Sequence, residues 1–326
     1  MKRLLLFAMS LLASWVLSAH AAGFQLVTVP VDSDQPMQLA IWYPSAASPS
    51  VTSIGLGVQT VAANTAIKGS SLPLVIISHG TGGSAFSHFD TAITLANAGF
   101  IVAAVTHPGD NYADKSRSVL VLERPRHVTR AIDYLLADWP GHGEIDAQRI
   151  GMFGFSAGGF TTLVSAGGKP DFSMIGPHCV THQGDFACRL LSGQKAPAPK
   201  MAFNAADGLR DTRLRAAVVA APALGFTFGG DGLRDVRIPI QLWRAEDDTL
   251  LPHPWYAEVV RQSLAVPPEY HMVPKAGHFD FLSTCSERLA AVAPEICASQ
   301  QGFDRAAFHE QFNAGVLAFF TKNLAQ

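Results

Sequence analysis

Three features of the 326-residue sequence predict an α/β fold with a mostly parallel central sheet of about eight strands flanked by helices. Short apolar runs continue on successive residues instead of alternating, as strands covered on both faces do. From about residue 74 these runs alternate with segments of helical periodicity, the pattern of a parallel sheet wrapped by helices. A composition of 48% hydrophobic and 15% charged residues describes a well-buried globular chain.

In chain order, residues 1–21 read as a secretory signal. Lys2 and Arg3 give the positive start, Leu4 to Leu17 the short apolar stretch, and Ala19-His20-Ala21 the small-residue cleavage site, with residues 22–326 as the mature domain. The leader holds no cysteine for lipid attachment, and no later run has the length of a membrane helix. Phe24 to Pro30 and Met37 to Tyr43 predict an antiparallel hairpin. Residues 44–72, rich in Ser, Ala, Thr and Gly, read as a surface loop. Leu74 to Ser78, Phe100 to Val105, Ile150 to Phe155, Ala216 to Ala221, Ile238 to Trp243 and the shorter Tyr270 to Val273 read as strands of the parallel sheet. Helices are expected over Ser87 to Ala98, closed by Gly99, from Pro125 with a Val128, Ile132, Leu135, Leu136 stripe, over Pro254 to Leu264, and over Phe303 to Leu324.

Residues 168–214 and 282–302 break the alternation and are expected as insertions, each holding one cysteine pair. In an oxidising compartment the short spacings favour bridges Cys179–Cys188 and Cys285–Cys297. The alternative is a zinc site from His178, Cys179, His182 and Cys188, whose spacing matches no standard ligand pattern. Without Lys2 and Arg3, 22 basic residues face 26 acidic ones, a formal charge near −4 that offers no footprint for nucleic acid. Oligomeric state is not legible.

The chemistry centres on Gly154-Phe155-Ser156-Ala157-Gly158-Gly159, between an apolar strand and a helical stretch. A serine nucleophile must stand clear of the sheet beside a base, and flanking glycines admit the sharp strand-to-helix turn that achieves this. His79-Gly80-Thr81-Gly82-Gly83 follows the strand expected beside it. Its Thr81 N–H, with that of Ala157, is the expected oxyanion hole. His79 reads as a structural hydrogen-bonding residue. The expected base is His278 in Ala276-Gly277-His278-Phe279, after the last strand. The expected acid is Asp248 in Glu246-Asp247-Asp248-Thr249-Leu250-Leu251-Pro252, with Asp247 and Glu246 as alternatives.

His79-Gly80-Thr81-Gly82-Gly83, Thr106-His107-Pro108-Gly109-Asp110, the Ser156 run and Ala276-Gly277-His278-Phe279 occur in order across most of residues 73–282. Together they resemble the predicted dienelactone-hydrolase and platelet-activating-factor-acetylhydrolase-like branch of the α/β-hydrolases. That resemblance implies the α/β-hydrolase fold and a carboxylic-ester hydrolase acting on a small-molecule or lipid ester without metal or organic cofactor. Dienelactone hydrolases carry cysteine as nucleophile, so Ser156 points to the carboxylesterase side. Phe226, Phe228 and Trp255 are candidate pocket residues, with core packing as the competing role. His107-Pro108-Gly109-Asp110 reads as a turn or a pocket lining. The rival functions are a prolyl-oligopeptidase-like peptidase and a non-catalytic binding protein of the same fold.

Overall fold

The computed structural model describes residues 21–31, 35–192 and 208–325. The expected leader, apart from Ala21, and residues 193–207 of the first expected insertion lie outside them. In chain order the elements are β1 (Ala21–Val29), β2 (Met37–Ser45), β3 (Ser50–Ile54), β4 (Gly57–Ala63), β5 (Leu72–Ser78), α1 (Phe89–Asn97), β6 (Ile101–Thr106), α2 (Glu123–Ala137), β7 (Ile145–Phe155) and α3 (Ala157–Ser165). They continue with α4 (Ile175–Thr181), α5 (Phe186–Ser192), β8 (Leu214–Ala220), β9 (Ile240–Ala245), α6 (Ala257–Ser263), β10 (Glu269–Val273), α7 (Glu287–Val292), α8 (Pro294–Cys297) and α9 (Arg305–Asn323).

All ten strands join one sheet in the order β10-β9-β8-β7-β5-β6-β2-β1-β4-β3. The six from β6 to β10 are parallel, while β1 and β2 form the expected antiparallel hairpin and β2 runs antiparallel to β6. Strand β5 lies between β6 and β7, so the chain leaves it in one direction and returns on its other side. Such a reversal opens a crevice beyond the carboxyl ends of the strands.

The sheet has two strands more than expected because residues 44–72 are not simply a loop. Residues 50–63 form the β3–β4 hairpin, turned through Gly55 at φ 60°, and β4 pairs in parallel with β1. Val61 and Ala62 are buried, and Gln59 accepts a 2.9 Å hydrogen bond from the Trp42 indole. On the outer strand Val51 points to solvent, so the apolar pattern there is too weak to register as a strand.

The central strands account for their unbroken apolar runs. In β5, Val75 and Ile77 pack toward α1 and α9 with Phe153, Phe312 and Phe320. Leu74 and Ile76 pack on the opposite face with Val128 and Ile132 of α2. Burial of each aliphatic side chain contributes about 1.5–3 kcal/mol. Pro125 is the third residue of α2, two later than expected, within the first turn where its missing N–H costs no helical bond.

Among the buried histidines, His79, His88, His107 and His127 lie in these layers. His88, just before α1, meets the edges of Phe153 and Phe155 at 4.9 and 5.4 Å, and neither ring nitrogen has a hydrogen-bond partner among the described residues. Burial pushes its pKa down to about 3; Asp90 pulls the other way and His309 adds to the push. Burial likewise lowers His127 to about 4 and holds His79 and His107 well below 6.5. From pH 6.5 down to these values the unfolded chain binds protons that the folded chain refuses, so stability falls with falling pH. Denaturation midpoints measured from pH 8 to pH 5 should drop accordingly. The midpoint of His88→Leu should gain on wild type across the same range, and a pH-independent difference would contradict this account.

Candidate active site

Strand β7 passes into helix α3 through Ser156, whose backbone stands at φ 55° and ψ −117°. Holding a non-glycine residue there costs on the order of 1–3 kcal/mol. The surroundings enforce it. A Cβ on Gly154 would lie 2.1 Å from the Gly158 carbonyl oxygen, and one on Gly158 would lie 1.8 Å from the Ser78 carbonyl oxygen. The Ser156 N–H donates to Ala220 O at 2.9 Å, and its carbonyl accepts from Ala223 N at 2.9 Å and Phe160 N at 3.1 Å. Tied on both sides, the serine is buried with its hydroxyl beside an imidazole.

That imidazole belongs to His278, on a short helical turn after β10. Its Nε2 lies 3.0 Å from Ser156 Oγ and its Nδ1 2.7 Å from Asp248 Oδ2. Asp248 follows β9, and its other oxygen accepts from the N–H groups of Leu250 and Leu251 at 3.0 and 2.8 Å. Asp247 and Glu246 are exposed, and Glu246 instead accepts from the Lys275 N–H, so of the three acids only Asp248 meets His278. Support for the histidine turn comes from residues with no recognisable sequence signature. Asp280 accepts from Gly277 N at 2.8 Å, from Arg305 Nε at 3.0 Å and from Ser299 Oγ at 2.5 Å. Arg305 also donates to the carbonyls of Ile296 and Ala298, in the segment closed by Cys285–Cys297. The second cysteine-bearing segment thus braces the histidine turn.

Because β5 pairs with β7, the glycine loop after β5 comes down beside the serine. A Cβ on Gly80 would lie 3.2 Å from the Ser156 Cβ and 3.1 Å from the Phe155 ring, so the backbone approaches closely only because Gly80 has no side chain. Gly83 N closes the turn on Gly80 O at 3.0 Å, and the Thr81 N–H donates to no acceptor among the described residues. Ala157 opens α3, where a helix leaves its N–H without an intrahelical partner. The N–H groups of Ala157 and of Thr81, one residue beyond Gly80, thus make no hydrogen bond among the described residues. His79 is committed elsewhere: Nδ1 donates to Gly80 O at 2.6 Å and Nε2 accepts from His107 N at 3.1 Å.

Among solved structures, a ferulic acid esterase from Streptomyces cinnamoneus superimposes with a TM-score of 0.61 at 18% identity, over 96% of this chain and 92% of that one. The chain has the α/β-hydrolase fold. The family model of platelet-activating factor acetylhydrolase, isoform II, matches residues 39–125, from β2 through the glycine loop to the first turn of α2. No curated protein sequence matches.

In this α/β-hydrolase fold the loops after β8 and β9 carry the three candidate pocket residues. Phe226 and Phe228 are both buried in one core cluster, the Phe228 ring 5.4 Å from Phe160. Phe226 lies under His178 at 3.8 Å; His178 in turn stacks on His182 at 4.4 Å, and the edge of Trp255 meets His182 at 4.6 Å. Asp185 accepts from Tyr256 Oη at 2.9 Å and lies 2.9 Å from His178 Nε2; burial and this carboxylate push the Tyr256 phenol well up. Phe226 follows three residues after Ala223, whose N–H donates to the Ser156 carbonyl. Both expected disulfides are formed. The sulfurs of Cys179 and Cys188 are bonded to each other, which removes them from the alternative zinc site.

Steric demand at the turn gives a direct test. Gly158→Ala should destabilise the fold by more than about 3 kcal/mol or prevent folding, since a Cβ meets backbone that cannot swing aside. Gly176→Ala, where a Cβ meets nothing within 4 Å, should shift a urea midpoint little.

Proposed function

We propose that this chain is an exported serine hydrolase that cleaves carboxylic esters through an acyl-enzyme on Ser156. The observation that carries the reading is the unbroken relay Ser156–His278–Asp248, at 3.0 and 2.7 Å, on a strained turn that opens helix α3. His278 takes the Ser156 proton as Oγ attacks the ester carbonyl, and the Thr81 and Ala157 N–H groups receive the negative charge that develops on its oxygen. His278 then protonates the departing alcohol. Water, deprotonated by the same imidazole, releases the acid and restores the serine. Asp248 keeps the Nδ1 proton in place and stabilises the cation at each stage, while its bonds from Leu250 and Leu251 fix the carboxylate.

The family match and the esterase neighbour support ester chemistry, with a small-molecule or lipid ester as substrate. Export is supported by the leader-like residues 1–21 and by two disulfides. Among the described residues no helix is long and apolar enough to cross a membrane. Mass spectrometry of the secreted protein should find a chain beginning at Ala22.

A fluorophosphonate probe should label wild type and not Ser156→Ala. Absent labelling of wild type, or equal labelling of the variant, would overturn the catalytic reading. Asp248→Asn should lower turnover of p-nitrophenyl esters by roughly 10³-fold or more, and Asp247→Asn should leave it near wild type. Run beside that ester series, a dipeptide p-nitroanilide should be turned over far more slowly, and the reverse preference would favour a peptidase.

A further inference from the structure

The loop that offers Thr81 N–H contains three glycines within five residues and has little stiffness of its own. Hydrogen-bond donors for an oxyanion act only when fixed in advance, and a displacement near 1 Å can cost about 10²-fold in rate. We propose that Asp110 and Arg124 are positioning residues that fix this loop against Ser156. This inference rests on the esterase reading above and adds two residues to it.

The His107-Pro108-Gly109-Asp110 stretch after β6 is a turn, closed by the Asp110 N–H on His107 O at 3.2 Å, and the Asp110 side chain extends from it. One carboxylate oxygen accepts from Gly82 N at 3.0 Å and from Ser118 Oγ at 2.9 Å; the other accepts from Arg124 at 2.7 Å. The second terminal nitrogen of Arg124 donates to the carbonyl oxygen of His79. One ion pair therefore grips the backbone on both sides of Gly80-Thr81, at the His79 carbonyl and at the Gly82 N–H. The two side chains are 2% and 3% exposed.

Stability alone is a poor reason for this pair. Desolvating two charges costs several kcal/mol per ion, and a well-packed apolar pair is often as stable. The arrangement carries two further costs. Arg124 Nε is buried without a partner among the described residues. Arg124 also stands in the first turn of α2, where the helix dipole disfavours a cation. A fork with parallel donors is nevertheless suited to bridging a carboxylate and a carbonyl at fixed separation. The groups facing the guanidinium, apart from Asp110, are His79, His107 and His127, all held neutral by burial, so they add no competing charge at neutral pH. Through His79 the grip also reaches Gly80, whose carbonyl accepts from Nδ1.

The test compares substrate with a transition-state analogue. For Asp110→Asn and Arg124→Lys, kcat on a p-nitrophenyl ester should fall roughly 10²-fold with KM within about threefold of wild type. The inhibition constant of a trifluoromethyl ketone, whose hemiketal oxyanion occupies the same hole, should rise by the same factor as kcat/KM falls. Arg149→Met removes an ion pair with Asp146 at the far end of β7 and should lower the melting temperature without touching this ratio. Folded variants with near-wild-type kcat, or with lowered kcat but unchanged ketone affinity, would overturn the proposal while leaving the esterase reading intact. Failure of both conservative variants to fold would make the pair a stability element and overturn it as well. An inactive, unlabelled wild type would instead sink the esterase reading itself.

Discussion

The carbonyl of Ser78 and the α-carbon of Gly158 meet at a distance that leaves no room for a single additional carbon. That contact brings the end of β5 against the start of α3, and the rest of the site is arranged around it. Crowding there forces Ser156 into a conformation that only a tightly tied turn can sustain, and it brings the glycine loop after β5 within reach of the serine. The adjacency of β5 and β7 makes the contact possible, and their apolar residues, buried on both faces, keep it from relaxing.

Each of the three groups meeting at the serine is steadied from outside the site, by a different kind of anchor. The histidine turn rests on Asp280 and Arg305, with carbonyls supplied by the segment that Cys285–Cys297 closes. The acid loop rests on its own backbone N–H groups. The glycine loop rests on a buried ion pair. The first cysteine-bearing segment instead meets the loops after β8 and β9, His178 stacking on Phe226 and His182 meeting Trp255.

Much of this was legible because the physics is local. A continuous apolar run, a glycine before and after a serine, and an ordered series of strand ends all leave marks within a few residues. The β3–β4 hairpin escaped because its outer strand turns Val51 to solvent and its pairing partner β1 lies some forty residues away. Arg124, Asp280 and Arg305 escaped for a related reason. A lone charged residue in a sequence looks the same whether solvated or buried, and only the fold reveals which carbonyls it meets. Asp110 was noticed by its place in a motif, yet its partner lies fourteen residues on and one element later. Phe226 and Phe228 show the limit on a finer scale: both are buried in one core cluster, yet only the fold reveals that one stacks on His178 and the other meets Phe160.

The brace on the histidine turn has a consequence for synthesis. Asp280 is gripped by Arg305, and His309 donates to its carbonyl from the same helix, α9, which follows every other element of the site in the chain. A ribosome extending the chain exposes the serine turn, the glycine loop and the acid well before that helix exists. The constellation around Ser156 is therefore complete only once α9 has been made, and a chain cut before Arg305 carries its nucleophile without that brace on its base.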